Sequence, residues 1–129
     1  MRHFSIKEAQ ALIPDLEEIF SNVLRIREQA AAKARIIRKL DAEDSPENVP
    51  QMAIERAQLQ FLSNSMNGWL KKVVDLGGLP KGLDPVMVDF PYLMDNKEVY
   101  LCWKMGDKEI RHRHAASENC SSRSPIPES

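Results

Sequence analysis

Two histidines, His112 and His114, stand two residues apart in the run EVYLCWKMGDKEIRHRH (98–114). On a strand both point to the same face, with Cα atoms ~7 Å apart, close enough for two imidazoles to grip one metal ion. A divalent metal such as zinc would then want a third protein ligand. His3, Glu118, Cys120 or a helix carboxylate would have to supply it, and no spacing selects among them. Two ligands alone make a weak motif. The plainer reading has His112 filling a half-buried edge position and His114 bonding to a backbone or tail group.

A second constellation depends on strand register. If the chain turns tightly at Gly106-Asp107, Trp103 pairs with Ile110, and Asp89, Cys102 and Arg111 form a row across three strands. A carboxylate and a guanidinium beside a thiol form a pocket for a small polar ligand, and the arginine would lower the thiol pKa. The competing reading is a cross-strand charge pair over a packed cysteine. In this register the histidines face away from Cys102, which argues against a Cys-His hydrolase.

The rest of the chain offers little chemistry. Cys102 and Cys120 form no CxxC pair and are expected as thiols in a reducing compartment. Gly77-Gly78 ends a helix and does not open one, so it cannot cradle a phosphate. The stretch RIREQAAAKARIIRK (25–39) is basic, but its cations spread over several helix positions and few aromatics interleave. That pattern fits a solvated helix or the acidic face of a second chain better than nucleic acid. Formal net charge is −1, so no global pull toward nucleic acid or membrane exists. The opening MRHFSIKEAQ has no apolar leader region, and no run suits a spanning helix, so a cytoplasmic location is expected.

The elements that carry these residues can be read from periodicity. Ser5 with Glu8 is a capping box, opening a helix near Ile6. From Ala9, a heptad seam runs through Leu12, Leu16, Ile19, Val23, Ile26, Ala30, Lys33, Ile37 and Leu40, apolar at every position but Lys33. Pro14 should kink this helix. Over residues 6–40 it would be about 50 Å long, more than a compact domain uses, so part of the coiled-coil seam is expected to meet a partner chain. The polar segment 41–50 breaks it. A second helix follows over 49–76, antiparallel to the first and stopped by Gly77-Gly78. The period then changes from helical to alternating, giving strands over 86–90, 98–105 and 109–114. Val88, Phe90, Val99, Leu101, Trp103, Ile110, His112 and His114 share the predicted core face. Asp89, Tyr100, Cys102, Lys104, Arg111 and Arg113 share the other. The fold class is thus α+β, a long helical hairpin packed with a three-stranded antiparallel sheet. Residues 1–116 form one domain, and 117–129 an irregular, partly flexible tail.

VDFP (88–91), EVYLCWKMGDKEI (98–110), His114 and RSPI (123–126), with FSIKEAQALIPDL (4–16), resemble an uncharacterised bacterial family, domain of unknown function 2203. The resemblance covers most of the chain and implies long helices with a small sheet, but no activity. Its pattern has Tyr-Trp before the histidine and Gly-Phe after it, where this chain has His112-Arg113 and Asn119-Cys120. His114 and Arg123 are the polar members that carry across. The leading expectation is therefore a non-enzymatic interaction or scaffold protein that dimerises through its first helix. The alternative is a metal- or small-ligand-binding protein, or a hydrolase, with its site at His112, His114 and Arg123.

Overall fold

The computed structural model describes residues 2–115 and 124–126. The chain divides into two compact units. One combines residues 1–20 with 71–129, and the other is the intervening stretch 21–70.

The first unit is a sheet with helix ends on one face. Its opening helix, α1 (Ile6–Ala11), starts at the capping box: Ser5 Oγ accepts from the Glu8 amide, and Glu8 Oε1 accepts from the Ser5 amide, both at 3.0 Å. The long first helix is broken at Leu12, and α2 (Ile13–Glu43) begins anew. Pro14 is the cause, since it has no N–H to continue the ladder and is tolerated in a first turn. The helix α3 (Val49–Asp75) ends at Gly77, which takes φ +99 and closes the last turn with its amide to Val74 O.

Five antiparallel strands follow in sequential order, β1 (Leu79–Leu83), β2 (Val86–Met94), β3 (Lys97–Lys104), β4 (His112–Ala115) and β5 (Ser124–Pro125). The three expected strands are present as β2, β3 and β4. LPKGL forms the edge strand β1, where a bulge between Pro80 and Gly82 accommodates the two residues that mask its strand character. Of the expected tail, residues 124–126 are described: Ser124 and Pro125 pair with β4, and the Ile126 amide donates to Arg111 O. Asp95 and Asn96, both at positive φ, make the two-residue turn from β2 to β3. Phe90, Val88, Leu101 and Trp103 are fully buried with Leu16 and Phe20, whose ring lies 6.2 Å from that of Trp103.

The turn at Gly106 corrects the expected register. Cys102 pairs with His112 and Tyr100 with His114, one residue away from a Trp103–Ile110 pairing. A tight two-residue turn does not form. Asp107 folds back onto Lys104 through its amide and carboxylate, its carbonyl accepts from Trp103 Nε1, and the Ile110 amide is taken by Gln10 Oε1 of α1. Ile110 is buried as expected, but anchored outside the ladder, so β4 starts only at His112. A slip of one residue exchanges the faces of a strand. His112 and His114 therefore leave the predicted core face and join Asp89, Tyr100 and Cys102, while Arg113 moves opposite Leu101.

The second unit is a helical hairpin: residues 21–43 of α2, a short 3-10 turn at Pro46–Asn48, and residues 49–70 of α3. Lys33 and Glu55 join its two legs at 2.9 Å. No described helix is long and apolar enough to cross a membrane.

Candidate functional site

The corrected register builds a polar cluster on the sheet face opposite Trp103. Asp89 on β2 and His114 on β4 reach over β3, with His114 Nε2 2.8 Å from Asp89 Oδ1. The two groups are in close contact, although the ring nitrogen is not aligned for a regular hydrogen bond. His114 Nδ1 lies 2.8 Å from Ala115 O. A carbonyl oxygen only accepts, so Nδ1 is the donor in that contact. Burial pushes the Asp89 carboxyl above the ordinary aspartate range; the His114 ring and the more distant Lys81 charge pull it back. Tyr100 stacks on the imidazole at 5.7 Å.

This arrangement has the parts of an acid–base dyad but is closed. Asp89 and His114 are 1% and 3% exposed, and each imidazole nitrogen already faces an oxygen. Beyond it lies an open edge cluster. Tyr100 OH donates to Glu98 Oε1 at 3.1 Å, and His3 Nε2 meets Glu98 Oε2 at 2.8 Å. The His3 bond, then that from Tyr100, holds the Glu98 carboxyl below the usual range, while Glu98 raises the Tyr100 phenol.

The predicted site residues are partly brought together. Asp89, Cys102 and His112 form the cross-strand row, with His112 where Arg111 was expected. Arg111 is exposed and salt-bridged to Glu109. Cys102, expected as a thiol, is disulfide-bonded and fully buried, so it has no thiolate to offer. Arg123, Glu118 and Cys120 lie outside the described residues. Among the described residues no three His, Cys, Asp or Glu side chains converge to hold a metal. The pairing of Asp89 with His114 was missed because it depends on register; the roles of His3 and Glu98 carried no sequence signal.

A different surface is open. Between Arg27 and Lys72, Glu55 is the one buried residue, 6% exposed, while the apolar side chains of that stretch stay half-buried or exposed. Hydrogen bonding from Lys33 holds the Glu55 carboxyl below the usual range. Lys33, the one polar seam position of the first helix, is thus engaged within the chain. A depression beside it is lined by Gln29, Lys33, Ala57, Gln58, Phe61 and Leu62.

The family model described as "uncharacterized conserved protein (DUF2203)" matches residues 2–126. The chain belongs to this family. The match takes in the capped N-terminal helix, the hairpin and all the described strands. Comparison with curated proteins and with solved structures returned no match.

Proposed function

We propose that this protein is a non-enzymatic interaction or scaffold module whose helical hairpin pairs two copies of the chain. One observation carries the reading: beyond Ile26 the helix pair fully buries no apolar side chain up to Lys72, only the Glu55 carboxylate. Helices in water owe most of their stability to packing an apolar face, and two hairpins supply each other with one as a four-helix bundle. The second half of the first helix's seam, Ala30, Ile37 and Leu40, is half-buried and available to that bundle. Light scattering over a wide concentration range tests this. Twice the chain mass supports it, and the chain mass throughout removes it.

A second reading is favoured by the register itself, which gathers Asp89, His112 and His114 on one face. In it, that face takes a small ligand or a divalent metal such as zinc. Metal would have to draw His114 away from Asp89. Elemental analysis of untagged protein beside the His112→Ala, His114→Ala double variant decides. Stoichiometric metal lost in the variant supports the reading, and its absence from both ends it for metal.

A further inference from the structure

The corrected register sets a base beside the buried sulfur. Cys102 pairs directly with Asp89 on one side and with His112 on the other. Directly opposed residues of antiparallel strands share a face, with Cβ atoms ~4.5–5.5 Å apart. Cys102 is fully buried and disulfide-bonded. No described cysteine is free, and the one other cysteine of the chain, Cys120, lies outside the described residues. His112 is half-buried and also lines a surface depression with Asp107, Lys108, Glu109 and Arg111. It therefore joins the sulfur's row to solvent.

The other ionisable groups on this face decide what that base can do. Asp89, whose burial favours its uncharged form, is in contact with His114. Glu98 is bonded by His3 and Tyr100. Lys81 of β1 acts on Asp89 through its charge, and Lys104 stands two residues along β3 from Cys102. Neither carboxylate sets its full charge against the sulfur, and both lysines favour an anion there.

We propose that the Cys102 disulfide is a redox switch, which a small dithiol opens to a Cys102 thiolate paired with the His112 imidazolium. Cys102 is buried, so a thiolate of the dithiol attacks the partner sulfur and the protein S–S bond breaks. Cys102 departs as a thiolate, and a leaving group stabilised as the anion departs faster. The second thiol of the reductant then displaces the mixed disulfide. The reductant ends as a cyclic disulfide, having given up two electrons. Its two thiol protons end on the partner sulfur and on the His112 imidazole. Stabilising the reduced form makes the bond easier to reduce than a structural staple. Neither self-association nor a metal is required.

The test equilibrates the full chain in buffers of graded reduced and oxidised dithiothreitol. Each sample is quenched in acid, and its thiols are counted by alkylation in denaturant, so burial does not limit the reading. Wild type should pass from no thiols to two, and His112→Gln should need a ratio of reduced to oxidised reagent about tenfold higher, equivalent to about 30 mV. Circular dichroism checks that the variant keeps its fold. Cys120→Ser leaves Cys102 as the single thiol of the chain. Its thiolate, followed by ultraviolet absorbance against pH, should appear below the ordinary cysteine value of ~8.5. Adding His112→Gln to Cys120→Ser should move that inflection up, which a merely structural histidine would not do. Two thiols in fully oxidising buffer overturn the switch. So does an unchanged midpoint in His112→Gln, or a Cys102 inflection at or above the ordinary value.

Discussion

At the scale of single residues, two carboxylates on neighbouring strands have opposite linkage to pH. Glu98 is held below its ordinary value of 4.5, chiefly by the bond with His3 and then by Tyr100. Its contribution to stability is present above that value and is lost as pH falls through the lowered folded one. Asp89 is raised above 3.8 by burial. The stability linked to it is greatest in acid and is lost as pH rises through the raised folded value. Urea midpoints against pH for Glu98→Gln and Asp89→Asn should therefore move in opposite senses. The gap between wild type and Glu98→Gln closes in acid, whereas wild type gains on Asp89→Asn there. Parallel profiles would show that one of the two environments is misassigned. The sequence made Asp89 legible as a polar residue on the outer sheet face. Its partner was hidden because nothing local to His114 says which of two registers β4 adopts.

At the scale of elements, what was legible followed from rules that act over a few residues. The capping box, the break at Pro14 and the stop at Gly77 are local events, and each falls where its chemistry demands. The strand β4 was displaced by a long-range event, the capture of the Ile110 amide by Gln10. The edge strand β1 was unreadable because Pro80 and Gly82 sit on a bulge, where neither breaks a ladder. Two glycines separate backbone strain from packing. Gly77 and Gly106 have nearly the same positive φ, +99 and +106. A Cβ on Gly77 would stand 2.4 Å from Phe4 Cζ, whose ring packs edge-on against Phe90, whereas one on Gly106 meets nothing within 4 Å. Gly106→Ala should cost about 1 kcal/mol of left-handed strain, and Gly77→Ala about 2–3 kcal/mol because the Phe4 ring must also move. Chemical denaturation of the two variants reads the difference directly, and equal losses would mean that Phe4 moves aside freely.

At the scale of the whole molecule, pairing of the hairpins ties stability to concentration. Association that requires the folded chain adds to its stability by mass action. The thermal midpoint of the wild-type chain should climb as the protein is concentrated. A level wild-type midpoint would argue that the hairpin stands alone. The division of the chain has a consequence for its birth. The sheet unit is written in two pieces, residues 1–20 and 71–129, with the hairpin between them. Phe4, Ile13, Leu16 and Phe20 leave the ribosome long before Val88, Phe90, Leu101 and Trp103, the residues that complete their core. At ~5–20 residues per second that wait lasts on the order of ten seconds. During it the nascent chain holds out a greasy N-terminal segment with its partners still unmade, and shielding that segment falls to whatever meets the chain at the tunnel mouth.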